Sequence, residues 1–355
     1  MVVLPPPSPR GRSARRRRYG LMVLLSTLAP GVARAERAAE GGWRVQHLLE
    51  REPIQMLATD PNEPANVWAA SRDGVWRSVD RGVTWRRAGL DGWDVKCLAV
   101  SPHDPRTVVA GVKPAGVVLT EDGGDSWDEL RGFRAVRRFW WWSPADPPGI
   151  APYVSAVAIS PDDPTVMLAG VELGAVVRSE DGGRTWSPHL RSADRDCHDL
   201  RFHAVDGSWV YEAGGGGPAV SRDAGRTWQH PLRGLQGRYT MACAAAPSRP
   251  ELWYVSASPM VDWSAPWRVP VAHYDGHAQA GIYRASGGAA WERLGGGLPQ
   301  PLDHMPYALV TDPQASGDLY AGLANGEVWH GQEYGDVWTR LPVELGGVRR
   351  SMVIA

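Results

Sequence analysis

Three acidic side chains, Glu172, Asp199 and Glu212, are the candidates for acid–base chemistry in this chain. They lie in neighbouring segments of the chain. Glycosidases cleave a sugar linkage with two carboxyl groups held roughly 5–10 Å apart, one acting as the acid and the other as base or nucleophile. Sequence position alone does not show which two would meet, so a catalytic set stays unassigned.

Other reaction classes find less support in the sequence. A nucleophile elbow of the G-x-S-x-G type is absent, and the glycines at 214–217 precede no helical pattern, which excludes a phosphate-binding loop. His273 and His277 have a spacing that suits a metal site, but no third ligand can be assigned to them. The sequence therefore predicts neither a metal nor a cofactor.

Aromatic and polar side chains instead indicate binding. Two long insertions, 131–153 and 258–281, carry most of these aromatic residues, and long loops on a rigid scaffold are common places for ligand sites. Each Trp could equally anchor its own loop, and each polar residue could be an ordinary solvated one. The predicted binding residues are Trp141, Trp142, Trp263, Trp267, His198, Arg238, Tyr239 and His304.

An eight-residue motif, SEDGGRTW at 179–186, places these candidates on a scaffold. It recurs at 78–85, 120–127 and 221–228. A short Asp side chain accepts backbone N–H groups inside a tight turn, Gly allows positive φ, and Thr-Trp begins a strand. We expect a structural role for its Asp and Trp residues rather than ligand or calcium binding. They are Asp80, Asp122, Asp181, Asp223, Trp85, Trp127, Trp186 and Trp228.

The spacing of the motif predicts the architecture. Trp85 and Trp127 are 42 residues apart, as are Trp186 and Trp228, and degenerate copies bring the total to seven units. Each unit contains four short strand patterns, and repeats of about 40–45 residues with four strands are typical of propeller blades. We predict an all-β, seven-bladed propeller of four-stranded antiparallel blades. Two packed sandwiches or a solenoid are the alternatives.

The motif S-x-D-x-G-x-T-W resembles the Asp-box, or bacterial neuraminidase repeat. That superfamily includes sialidases, xyloglucanases, sortilin-type receptors and photosystem II assembly factors. The resemblance covers nearly all of residues 19–355 and implies the fold, with boxes that are structural and lie away from the active site. It does not imply an activity. A sialidase arginine triad cannot be assigned, and the sialidase-like stretch 267–270 lies in an insertion rather than before the first box.

The N-terminal region allows two interpretations. Residues 1–17 are rich in Pro and Arg and predict a disordered basic extension, which leaves 18–355 as one propeller domain. Residues 15–35 match a secretory signal, but 31–45 also align with 74–87, as strands of a blade would. We favour the blade, closed by a strand from 348–355, and a cytoplasmic protein. A periplasmic or secreted protein is the alternative, if residues 1–35 act as a signal peptide.

Charge and composition narrow the class of partner. The net charge is −1, which does not favour nucleic acid, and no run of 18 apolar residues predicts a membrane span. We expect a monomer that binds a protein segment or a carbohydrate without catalysis. The ligand would lie on the aromatic-rich face opposite the Asp-boxes. A glycoside hydrolase, sialidase-like or glucanase-like, that uses paired carboxylates on that same face is the alternative function.

Overall fold

The computed structural model describes residues 22–38, 41–137, 151–188, 192–260 and 270–355. Within them, seven antiparallel sheets form a ring, and in each sheet the strands follow one another outward in chain order. The closing sheet alone combines strands from both ends of the chain. The predicted seven-bladed β-propeller is confirmed.

The blades contain 26 strands in the described residues, numbered in chain order. The closing blade has β1 (Val23–Thr27), β2 (Val32–Arg37) and β3 (Trp43–Leu48). Blade one has β4 (Ile54–Thr59), β5 (Val67–Ser71), β6 (Gly74–Ser78) and β7 (Arg86–Arg87). Blade two has β8 (Asp94–Val100), β9 (Val108–Lys113), β10 (Gly116–Thr120) and β11 (Asp128–Glu129). Blade three has β12 (Val154–Ile159), β13 (Met167–Val171) and β14 (Ala175–Ser179).

The second half of the ring repeats this plan. Blade four has β15 (Cys197–Phe202), β16 (Val210–Gly214) and β17 (Ala219–Ser221). Blade five has β18 (Tyr239–Ala246), β19 (Arg249–Ser258), β20 (Gly281–Ser286) and β21 (Glu292–Arg293). Blade six has β22 (Pro306–Thr311), β23 (Leu319–Leu323), β24 (Glu327–Gln332) and β25 (Val337–Glu344). The last strand, β26 (Met352–Ile354), returns to the closing blade.

Blades three and four each show three strands in the described residues. In each of these blades, a single backbone pairing marks the place of the fourth, outermost strand. Ser187 donates its backbone N–H to the Arg178 carbonyl at 2.7 Å in blade three. In blade four, Val220 and Gln229 form an isolated antiparallel bridge. Both blades therefore keep the four-strand plan with a very short outer strand.

Apolar side chains between neighbouring blades form the core. Fully buried Trp68 of β5 packs in one cluster with Leu98 and Val112 of the next blade. Close approach is aided by Gly111, where a Cβ would run into the Cys97 sulfur and the Val154 side chain. Packing between blades, rather than within them, thus holds the ring together.

The four turns of the repeated eight-residue motif, which we call Asp-box turns for their resemblance, share one hydrogen-bond pattern. In the box of blade three, Asp181 Oδ1 accepts from Ser179 Oγ at 2.9 Å and from the Thr185 backbone N–H at 2.9 Å. Its Oδ2 accepts from Thr185 Oγ1 at 2.6 Å. The turn also requires positive φ at Gly182 (71°) and Gly183 (83°). The boxes around Asp80, Asp122 and Asp223 make the equivalent bonds.

We expect Asp223→Ala to lower the free energy of unfolding by about 1–2 kcal/mol, because the turn loses several hydrogen bonds. Burial acts to raise the pKa of Asp223, but bonds from Thr227 and Ser221 outweigh it and hold the pKa below its ordinary value. This stabilisation is therefore present above the unfolded pKa and is lost as the pH falls through the folded pKa. Denaturant unfolding at pH 7 and pH 3 measures both effects.

Asp125→Ala is the matched control for that substitution. Asp125 lies in the box of blade two, is exposed, and forms no side-chain hydrogen bond with the residues described. Its replacement is expected to leave stability almost unchanged. Equal losses for Asp125→Ala and Asp223→Ala would contradict a specific role of the box carboxylate.

Ring closure depends on β1 and β26. Leu24, Leu25 and Ser26 pair with Ile354, Val353 and Met352 in antiparallel register. The alignment of residues 31–45 with a blade is confirmed, because β1, β2 and β3 occupy the predicted strand positions. Closing the ring in this way pairs the sheet edges that the two ends would otherwise expose.

The two insertions lie where the sequence placed them. The second joins β19 to β20, and the first follows β11 and contains a short helix, α1 (Gly132–Arg137), that the sequence did not indicate. Phe133 of α1 is fully buried and packs edge-on against Trp186 at 5.6 Å. None of the helices in the described part of the chain has the length and apolar character needed to cross a membrane.

Candidate functional site

A cavity of about 240 Å³ lies at the mouth of the central pore. The innermost strands of all blades begin at this face, and the Asp-box turns emerge from the opposite face, because strands alternate in direction within each blade. We call this cavity the upper pocket. It is lined by Tyr153, Glu172, His198, Tyr239, Met241, His273, Tyr307, Arg349 and Arg350.

One wall of the upper pocket is a chain of aromatic hydrogen bonds. His273 Nε2 lies 3.0 Å from the Tyr239 hydroxyl, and His273 Nδ1 lies 2.6 Å from the Tyr307 hydroxyl. The His273 and Tyr307 rings stack, with centroids 6.0 Å apart. Burial, followed by the charge of His198, holds the pKa of His273 below its ordinary value. A neutral imidazole therefore links the two tyrosines.

The hydrogen-bond network assigns the tautomer of His273. We assign the proton to Nδ1, so that the Tyr307 hydroxyl accepts from Nδ1–H at 2.6 Å and donates a long bond, 3.5 Å, to the Ala272 carbonyl. Nε2 is then the acceptor, and the Tyr239 hydroxyl donates to it. Both tyrosine protons are consequently engaged within the wall.

The opposite wall carries charge. Glu172, directly after β13, lies 3.5 Å from a terminal nitrogen of Arg350. Arg350 also lies over the Tyr153 ring at 5.8 Å from its centroid. Lys96 and Lys113 approach the same ring at 5.3 and 5.8 Å. Tyr153 is thus surrounded by three cations, an arrangement that cation–π attraction stabilises.

His198 lies beneath the two walls. Its Nδ1 donates to the Thr240 carbonyl at 2.7 Å, and its Nε2 lies 3.5 Å from Asp196. Burial lowers the pKa of His198, but the hydrogen bond and charge of Asp196 outweigh this, and the pKa rises above its ordinary value. The pKa of His198 is therefore shifted in the opposite direction to that of His273.

The structure brings three of the predicted site residues into the upper pocket, namely Glu172, His198 and Tyr239. Neither Arg238 nor His304 lines the pocket. Arg238 is exposed beside Tyr239, and His304 Nδ1 lies 3.2 Å from Asp275 Oδ1. The remaining predicted binding residues lie outside the described residues. They are Trp141, Trp142, Trp263 and Trp267.

The candidate carboxylates are not brought into one cavity. Asp199 faces the pore below the upper pocket and accepts from Arg201 Nε at 3.0 Å and from the Cys243 backbone N–H at 3.1 Å. Glu212 is fully buried in β16. Glu172 is the only carboxylate among the described residues that line the upper pocket. The spacing expected of a glycosidase pair is therefore absent from this described lining.

Sequence reasoning missed Arg350, Tyr307 and Met241, and it considered His273 only as a metal ligand. A positional signal was available. Tyr153, His198, Tyr239, Tyr307 and Arg350 all lie at or within two residues of the start of an innermost strand. Such positions face the pore in a propeller. An alignment of the starts of the seven innermost strands would therefore have identified these residues.

Comparison with known proteins supports the fold. No family model matches the chain. A 92-residue segment is 32% identical to an oligoxyloglucan-reducing end-specific xyloglucanase of Emericella nidulans and 29% identical to a probable enzyme of that name from Neosartorya fischeri. The match covers 24% of this chain and 11% of each relative. The chain thus matches only a small part of either enzyme's length.

Solved structures show the same architecture at low identity. The GH74 xyloglucanase from Xanthomonas campestris is 19% identical, with a TM-score of 0.58 over 81% of this chain and 45% of that one. YCF48 from Cyanidioschyzon merolae is 15% identical, with a TM-score of 0.55 over 83% and 86%. YCF48 bound to D1 peptide is 14% identical, with a TM-score of 0.55 over 92% and 91%. At such identities the likeness concerns the fold alone.

Proposed function

We propose that this protein is a non-catalytic binding propeller that takes a protein segment at the upper pocket. The observation that carries the proposal is the pocket itself. Its described lining combines tyrosines, imidazoles and an Arg–Glu pair but holds a single carboxylate, Glu172. Such a surface offers stacking and hydrogen bonds without the second carboxyl group that sugar hydrolysis requires.

The size and chemistry of the pocket favour a protein segment over a glycan. A volume of about 240 Å³ suits one or two side chains of an extended segment rather than an oligosaccharide. Its described lining contains no Trp, the large flat ring best suited to stacking. A propeller of similar length, YCF48, has been solved with a bound peptide, which adds support.

We also propose that the chain belongs to the Asp-box superfamily. The support is the shared hydrogen-bond pattern of the four turns, in which one carboxylate accepts from the Ser or Thr two residues before it and from the residue four positions after it. Four equivalent turns at blade-to-blade spacing are consistent with one repeated unit.

Met241→Trp tests the proposed site. The larger ring fills the upper pocket, so retention of linear 12-residue library peptides by the immobilised protein is expected to fall at least about tenfold. Met260→Trp is the matched control, because Met260 is exposed and outside the pocket. Retention that is unchanged by Met241→Trp, in a variant with an unaltered melting temperature, would place the ligand elsewhere.

A glycoside hydrolase is the second candidate function, favoured by the 92-residue match to a xyloglucanase. Incubation with xyloglucan oligosaccharides, followed by analysis of reducing ends, tests it directly. Product formation that disappears in Glu172→Gln would replace the binding proposal. We expect no product from the wild type or from that variant.

A further inference from the structure

Arg350 lies where its side chain can contact a ligand in the upper pocket. Its side chain is 26% exposed and lies in the pore, where it lines the upper pocket. Its single ion pair among the described residues, with Glu172, is long at 3.5 Å and uses one terminal nitrogen. A guanidinium carries five N–H donors, and its partners among the described residues are Glu172 and the Tyr153 side chain, so donors remain for a ligand in the pocket.

Three other cations at the rim form no ion pair with the described residues. Arg349 lines the pocket, and Arg72 and Lys113 follow strands that end at this face; none forms an ion pair with a residue the structure describes. Lys96, by contrast, is paired with Asp94 at 3.0 Å. Among the described residues that line the upper pocket, Arg349 is therefore the charged group without an ion pair, and its charge is positive.

The acidic groups nearby are already engaged. Glu172 pairs with Arg350, and Asp196 lies 3.5 Å from Nε2 of His198, whose pKa it raises above the ordinary value. The Tyr239 and Tyr307 protons are engaged with His273 and Ala272. Among the described lining residues, the guanidinium groups of Arg349 and Arg350 are then the hydrogen-bond donors with capacity left for a ligand.

We infer that the upper pocket captures a carboxylate of the bound segment, with Arg350 as its principal partner and Arg349 at the rim. This rests on the proposed function and names the chemistry of the ligand. The guanidinium plane matches a carboxylate with two parallel hydrogen bonds, and three-quarters burial strengthens such bonds. The incoming carboxylate would also relieve the crowding of cations around Tyr153.

The probe is an array of linear 12-residue peptides in two matched sets. One set contains Asp and Glu, and the other carries Asn and Gln at the same positions. Each set is made with a free and with an amidated C-terminus, which separates side-chain carboxylates from the chain terminus. Four proteins are compared: wild type, Arg350→Gln, Arg349→Gln and the control Arg184→Gln, whose side chain is exposed in the turn at 179–186 on the opposite face.

Wild type is expected to retain carboxylate-bearing peptides at least about tenfold better than their amide counterparts, and less so as salt is raised. Arg350→Gln should abolish that preference, Arg349→Gln should reduce it, and Arg184→Gln should preserve it. Thermal unfolding checks that each variant is folded. The exposed Arg349 keeps the test valid if Arg350→Gln is unstable.

Three outcomes would overturn the inference, and they are distinguishable. Peptides that bind equally well as acids and as amides would exclude a carboxylate receptor while leaving the binding function intact. A preference that survives both arginine substitutions would place the receptor elsewhere. Failure of every peptide set to bind would overturn the proposed function, and this inference with it.

Discussion

A chain that begins at Glu36 is expected not to fold cooperatively, whereas a chain that begins at Met22 is expected to melt like the full-length protein. The first lacks β1 and most of β2, which supply Val23, Leu24, Leu25 and Val32 to the core, each at most 2% exposed. At roughly 1.5–3 kcal/mol for each buried side chain, their loss removes about 6–12 kcal/mol. That is comparable to the whole stability of a typical domain.

The loss would extend beyond the closing blade. The only strand with which β26 pairs among those described is β1. The Thr27 hydroxyl accepts the backbone N–H of Arg350 at 3.0 Å and of Ser351 at 3.2 Å. Removing β1 therefore also releases the segment that holds the pocket arginine.

Circular dichroism melts and size-exclusion chromatography of the two truncated chains, each with an initiator Met where needed, measure this effect. A sharp melting transition from the chain that begins at Glu36 would show that the ring closes without β1. Such a result would strengthen the alternative in which residues 1–35 are a signal peptide. The cytoplasmic location remains our proposal.

Glu212→Gln is expected to stabilise the protein at neutral and alkaline pH. Burial, and then the charge of Asp194, raise the pKa of Glu212 to about 8. Its Oε2 accepts only a long bond, 3.4 Å, from the Asp194 backbone N–H. The Cys197 thiol, a weak donor, also contacts the carboxyl group. The ionised form is therefore poorly compensated in this site.

The direction of the pH dependence follows from proton binding. Between the ordinary value of 4.5 and about 8, the folded protein holds a proton that the unfolded chain has released. Stability due to this group is thus present below the unfolded pKa and is lost as pH rises toward the folded pKa. At pH 7 the cost is about 3 kcal/mol, which the neutral Gln avoids.

Denaturant unfolding at pH 5, 7 and 9 measures that difference. Wild type and Glu212→Gln should agree at pH 5 and diverge as the pH rises, with the variant more stable. The control is Glu344→Gln, because the Glu344 side chain is 76% exposed. Parallel pH profiles for wild type and Glu212→Gln would show that the carboxylate is compensated in the folded state.

Much of the fold could be predicted because its determinants are local. Each Asp-box turn is built from eight consecutive residues, and its hydrogen bonds reach at most four positions along the chain. Regular spacing of Trp then gave the number of blades. The placement of residues 31–45 as strands also followed from an internal alignment, since every blade obeys the same local pattern.

The candidate site could be predicted only in part. Glu172, His198 and Tyr239 were recognised, but Arg350 was not, because it belongs to a short C-terminal segment with no motif of its own. Glu212 looked like an exposed catalytic candidate and is instead fully buried. Side-chain direction in a β-strand alternates at every residue, so a site cannot be read from strand membership alone.

The sequence by itself determined the repeated turn, the number of blades and the way the ring closes, because each depends on contacts within one repeat or on its recurrence. Tertiary structure alone decided which groups meet in the pore. Tyr153, His198, Tyr239 and Arg350 come from four different blades and are separated by up to 197 residues. Ring closure brings them together, since only the assembled propeller turns the starts of its innermost strands toward one axis.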